Sequence, residues 1–121
     1  MNVTIKTRAI QLSSQEEEAL VHNITRALSR HERVIHVVAV CEDVNGPRGG
    51  VDKYCRLTAQ GPGLGMVVVE ERDTVLGRAV DRAAQRLTRA VVRSLGRRRR
   101  RRQAFHRGLA PVEQFRAGGM P

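Results

Sequence analysis

Two glycine-rich breaks constrain this chain more than any other feature. Asn45-Gly46-Pro47-Arg48-Gly49-Gly50 and Gly61-Pro62-Gly63-Leu64-Gly65 separate three runs rich in alternating or β-branched residues, Val34 to Val44, Val51 to Gln60 and Met66 to Glu71. Connections this short leave no room for a crossover, so the three runs are expected to form an antiparallel meander. A fourth run opens the chain, with Val3 and Ile5 alternating against Asn2, Thr4 and Lys6. Between it and the meander, Leu20, Ile24, Ala27 and Leu28 recur at helical spacing. Ser14 followed by Glu17 matches a capping box, and Glu16, Glu17 and Glu18 suit the positive end of a helix dipole. This first helix is expected from about Gln15 to about His31. A strand-helix-strand start takes a right-handed crossover and makes the first two strands parallel.

The last third of the chain reads as a second helix, with Asp73 or Thr74 available as its cap. Leu76, Val80, Ala83, Leu87, Val91 and Ser94 or Leu95 mark one side of it. Arg78, Arg82, Arg86, Arg89, Arg93 and Arg97 mark another. At roughly 100° per residue those six arginines fall within a sector of about 100°. The expected fold class is therefore α+β, β-α-β-β-β-α, a four-stranded mixed sheet with two helices packed on one face. Ile35, Val37, Ala39 and Cys41, then Val51, Cys55, Leu57 and Ala59, then Val67 and Val69, are expected to face the helices. The opposite face would show His36, Val38, Val40, Tyr54, Arg56 and Thr58. That face is more apolar than open solvent requires. Contact with a partner and plain β-propensity are both open readings of it.

The 121 residues suffice for one domain, and no apolar run approaches the roughly 20 residues of a bilayer span. Met1 to Lys6 lacks the apolar segment of a secretion signal, so a cytoplasmic location is expected. The charge is uneven. Residues 1–94 carry 14 basic and 11 acidic side chains, and residues 95–121 carry eight basic and one acidic. The organisation expected is a domain over residues 1–95 and an arginine-rich flexible tail over 96–121. The run Arg97 to Arg102 reads either as a floppy electrostatic tether or as an extension of the second helix.

Twenty of the 22 basic residues are Arg. The planar guanidinium binds phosphate in bidentate fashion, which favours a nucleic-acid partner; a compositional bias of the genome would have the same effect. The arginine stripe itself departs from an ordinary solvated face, which mixes both signs, because Asp81 is the sole acid between Val75 and Arg102. Arg26, Arg30 and Arg33 close the first helix, where dipole and ligand account for them equally well. The three aromatics, Tyr54, Phe105 and Phe115, make no stacking platform, so recognition would rest on phosphate and shape.

Nothing in the sequence marks an enzyme. There is no P-loop or nucleophile elbow, and Gly61, Gly63 and Gly65 lead into a strand rather than a helix. His22, His31, His36 and His106 show no ligand spacing with the cysteines, so no metal or other cofactor is expected. Glu70, Glu71 and Asp73 read as solvation or capping. Cys41 and Cys55 are equidistant from the middle of the expected hairpin, which allows either a disulfide or two buried thiols.

Several segments, taken in order, resemble the ribosome hibernation-promoting factors, also called ribosome-associated inhibitors or sigma-modulation proteins, in their short form. They are Met1-Asn2-Val3-Thr4-Ile5, Val34-Ile35-His36-Val37-Val38, Asp43 to Lys53, and Val67 to Asp73 leading to Arg78-Ala79-Val80-Asp81-Arg82-Ala83. The resemblance covers about residues 1–95 and implies the same β-α-β-β-β-α fold. It implies a protein without a reaction, probing no small-molecule substrate and no membrane, monomeric off the ribosome. Such proteins dock on the small ribosomal subunit and its ribosomal RNA, occlude the messenger and transfer-RNA channel, and silence translation under stress. The basic residues it implicates are Arg26, Arg30 and Arg33, then Arg82, Arg86, Arg89 and Arg93, with Arg48 and Lys53 from the hairpin region; Arg78 joins them through the stripe. Where similar proteins often carry an aromatic near the start of the second helix, this chain has Gly77, and Val75 replaces an Asp. The alternative is a general RNA- or DNA-binding module of the same fold, using its arginine-rich helix and tail.

Overall fold

The computed structural model describes residues 1–44 and 50–106, with side chains placed through residue 97. The elements follow the expected order: β1 (Asn2–Arg8), α1 (Ser14–Leu28), β2 (His36–Asp43), β3 (Lys53–Gly61), β4 (Gly65–Asp73) and α2 (Leu76–His106). They form one sheet in the order β1-β2-β3-β4, with β1 parallel to β2 and the other pairs antiparallel. Both helices lie on one face. Between them and the sheet sits a core of Leu20, Ile24 and Leu28 from α1, Val37, Ala39 and Cys41 from β2, Cys55, Leu57 and Ala59 from β3, and Val80, Ala83, Leu87 and Val91 from α2.

Local departures from expectation have local causes. The capping box belongs to Ser13 and Glu16, one residue earlier than Ser14 and Glu17. The Ser13 hydroxyl accepts from Glu16 N–H at 3.1 Å and the Glu16 carboxylate accepts from Ser13 N–H at 2.9 Å. Starting there leaves Leu12 just ahead of the cap, packed against the core. The helix stops at Leu28, three residues short of His31, where a turn takes over with His31 N–H bonded to Leu28 O.

Ile35 and Val51 do not face the helices. Ile35 precedes β2 and is 51% exposed; Val51 precedes β3 and is 58% exposed. Gly50, at φ 85°, redirects the chain there, and Asp52 is buried in place of Val51, ion-paired to Lys53 at 2.9 Å. Conversely Leu64, read as a turn residue, is fully buried. Its turn tucks beneath α2, where Ser94 Oγ donates to Leu64 O at 3.3 Å. The turn also runs close against the connection between α1 and β2, where a Cβ added at Gly61 would sit 1.6 Å from the Arg33 carbonyl oxygen.

The two helices run parallel. Asn23 lies beside Asp81, with Nδ2 3.4 Å from Oδ1, and Thr88 Oγ1 donates to Ala27 O at 3.2 Å. At 1.5 Å per residue α2 is about 46 Å long. Its packing against the core ends at Leu95, and the helix continues through the arginine run to His106. Of the two readings of that run, the structure adopts the helical one. The boundary expected between residues 95 and 96 falls inside α2, and the rest of the expected tail, residues 107–121, lies outside the described residues. Cys41 and Cys55 are direct register partners, free and buried. The hydrogen bond to Cys41, then burial, pushes the Cys55 thiol up. No described helix is long and apolar enough to cross a membrane.

Candidate nucleic-acid interface

The apolar side of α2 docks on β3 and β4, which turns its arginines outward; Arg78, Arg82, Arg86, Arg89, Arg93 and Arg97 are all exposed. They nevertheless fall into two groups. In the first turns of the helix the arginines reach across to the end of β4. Arg78 Nε lies 3.1 Å from Asp73 Oδ1, and its Nη2 donates to Thr74 Oγ1 at 3.0 Å. Arg82 bridges Glu71 at 3.0 Å and Asp73 at 3.6 Å. Arg86 Nη1 meets Glu71 Oε2 at 2.7 Å.

Two of these arginines also bond to backbone. Arg82 Nη2 donates to Arg72 O at 2.7 Å and Arg86 Nη1 to Glu70 O at 2.6 Å. β4 is an edge strand, so its outward carbonyls have no neighbouring strand. The two guanidinium groups occupy that edge and oppose pairing with another chain. The carboxylates respond. The Arg86 hydrogen bond, with the Arg82 and Arg86 charges, holds Glu71 below the usual carboxylate range. Asp73 is also held low, first by the Val75 N–H and then by Arg78.

Farther along α2 there is no such counterweight. Arg89, Arg93 and Arg97 make no side-chain hydrogen bond or ion pair among the described residues. The same holds for Arg26 in the last turn of α1 and for Arg30 in the turn that follows it. Because the helices are parallel, this end of α1 lies alongside the middle turns of α2, where Thr88 meets Ala27. Arg26 stands on the lip of a cleft of about 300 Å³ between the helices, shared with Asn23, Ala27, Asp81, Ala84 and Gln85. The outer surface of the helix layer thus gathers Arg26, Arg30, Arg89, Arg93 and Arg97 as unneutralised cations with their donors exposed. Planar forks held on rigid helices suit the phosphate oxygens of a nucleic acid.

The remaining expected residues stand elsewhere. Arg33 turns away to the β3–β4 connection, where Nη1 lies 3.5 Å from Pro62 O. Lys53 is already paired with Asp52 at 2.9 Å and Asp43 at 3.4 Å, and these partners raise its pKa. Arg48 lies outside the described residues. Sequence reasoning passed over Glu71 and Asp73 as mere solvation or caps. The signal that could have exposed them was the tight β4–α2 connection, which folds those acids back onto the first turns of α2.

No family model matches the chain, and no curated relative does. Solved structures do. The crystal structure of the Thermus thermophilus Protein Y N-terminal domain matches with a TM-score of 0.64 and 24% identity, over 77% of this chain and 98% of that one. A ribosomal subunit interface protein from Coxiella burnetii matches with a TM-score of 0.65 and 11% identity, over 77% of this chain and 96% of that one. The chain shares the fold of both.

Proposed function

We propose that this protein is a ribosome-associated factor of the hibernation type, which binds ribosomal RNA of the small subunit through its helix layer and blocks the messenger and transfer-RNA channel. The observation that carries the reading is the group of unpaired arginines, Arg26, Arg30, Arg89, Arg93 and Arg97, on the outer surface of this fold. The likeness to a ribosomal subunit interface protein supports the choice of partner. The mechanism is occlusion without a reaction or a cofactor: guanidinium forks hold phosphates and the bulk of the domain excludes other ligands. Arg78, Arg82 and Arg86 add long-range attraction while chiefly bracing α2 against β4. The protein acts in the cytoplasm, as a monomer when off the ribosome.

Co-sedimentation with purified ribosomal subunits at near-physiological salt tests this. Saturation near one copy on the small subunit, reversed by bound transfer RNA, is the expected result. Unsaturable binding to both subunits and to free RNA would instead favour the second reading, a general nucleic-acid binder. The continuation of α2 through six consecutive arginines is the observation on that side.

A further inference from the structure

The sheet face away from the helices is uncovered, and its registers place charges in rows. Arg8, Glu42, Tyr54 and Arg72 are neighbours across all four strands, as are Lys6, Val40, Arg56 and Glu70 one pleat further along. With strands about 4.8 Å apart, the two rows cover a patch of about 14 by 7 Å. All of these residues except Lys6 line a depression of about 300 Å³, together with Val44. Within it Tyr54 O–H donates to Glu70 Oε2 at 2.7 Å, which occupies one of the two acids. The Arg72 guanidinium lies over the Tyr54 ring, 5.6 Å from its centroid, a cation–π contact that helps to hold the fork in place. Arg8 and Arg56 have no ion-pair partner among the described residues. Four cations against two acids, one of them already engaged, give the patch a positive sign.

We propose that this face is a second phosphate-binding surface for an RNA backbone, centred on Arg8, Arg56 and Arg72, so that the protein is held between two RNA segments, one on its helices and one on its sheet. The inference rests on the RNA-binding reading above and adds a second, opposite contact. Charge complementarity selects the occupant. Arg8 and Arg72 stand at the two ends of one row, about 14 Å apart, with Arg56 between them in the next; such a spread of guanidinium groups suits the separated phosphates of an RNA backbone, and the isolated Tyr54 under its arginine leaves little room for reading bases. The patch lies across the thickness of the domain from Arg89 and Arg93, so one RNA helix cannot cover both without wrapping round the molecule.

The test uses the full chain with two populations of a short RNA duplex, one carrying a donor dye and one an acceptor. Anisotropy reports binding, and energy transfer reports two duplexes on one protein. The wild type is expected to give both signals. Arg8→Gln/Arg56→Gln/Arg72→Gln should keep anisotropy binding while energy transfer falls tenfold or more, since one lost charge-assisted hydrogen bond already weakens binding about tenfold. Arg89→Gln/Arg93→Gln should also lose transfer, through the opposite face. Circular dichroism melting keeps folding separate, since these side chains are exposed. Transfer that persists in the sheet-face variant, or a wild type that binds RNA without transfer, overturns the second surface and leaves the RNA reading standing. A wild type that binds no RNA overturns both.

Discussion

The two halves of one arginine stripe have the same composition and different physics. Arg78, Arg82 and Arg86 are clasped by Asp73, Glu71 and the carbonyls of β4, whereas Arg89, Arg93 and Arg97 face solvent without partners among the described residues. The near half stabilises the packing of helix on sheet and closes an edge. The far half is available to a ligand. An exposed arginine is therefore a poor unit for predicting a binding site; what counts is whether its charge is already answered within the fold.

The sharpest test of that contrast is charge reversal. On the proposed function, Arg89→Glu/Arg93→Glu should weaken binding to the small subunit by about 100-fold or more, since each charge-assisted hydrogen bond contributes about 1.5–3 kcal/mol. Its melting temperature should hold, and a large drop there would erase the distinction between the halves. Next in size is Glu71→Gln, which removes the carboxylate that Arg82 and Arg86 share and leaves them their bonds to β4 carbonyls and, for Arg82, to Asp73. It should cost about 1 kcal/mol, seen as a few degrees in melting, because partly exposed pairs contribute modestly. RNA affinity at low salt should rise in the same variant, and a fall in affinity would mean that the clasp serves binding directly.

Salt titration separates the halves more finely. Arg89→Gln should reduce the slope of log affinity against log salt by about 0.7 to 0.9, one lost phosphate contact, whereas Arg86→Gln should leave it nearly unchanged. The pH dependence of stability belongs to the near half alone. Glu71 and Asp73 are held below their usual values in the folded state, so their contribution is present at neutral pH and is lost as the pH falls below about 4. Acid melting curves of wild type and Glu71→Gln should converge there; curves that stay parallel would show that the ion pairs contribute nothing. The smallest effect is at the first turn of α2. A Cβ at Gly77 would meet nothing within 4 Å, so Gly77→Ala should stabilise by up to about 1 kcal/mol, read as a modest rise in melting temperature with binding unchanged.

Periodicity reached most of the fold because it records which side of each element is buried. Alternation in β2 and β3 singled out Val37, Ala39, Cys41, Cys55, Leu57 and Ala59, all inaccessible in the structure. It failed at Ile35 and Val51, which lie ahead of β2 and β3, because the backbone there has left the strand and the neighbouring Val34 and Asp52 are buried in their place. It missed Leu64, whose burial depends on a turn folding under a helix 30 residues away. The arginine stripe was legible in the same way, from spacing along α2. Its division into two halves was not.

What the sequence by itself determined was the order of the elements, the faces they bury and the outward stripe of positive charge, since each follows from residue spacing along one strand or helix. Tertiary structure alone decided which of those charges stay available. That depends on β4 returning beside the first turns of α2, so that one acid, Glu71, 11 and 15 residues distant from Arg82 and Arg86, comes within 3.0 Å of both. Coulombic pairing acts through space, and no periodicity along the chain records it.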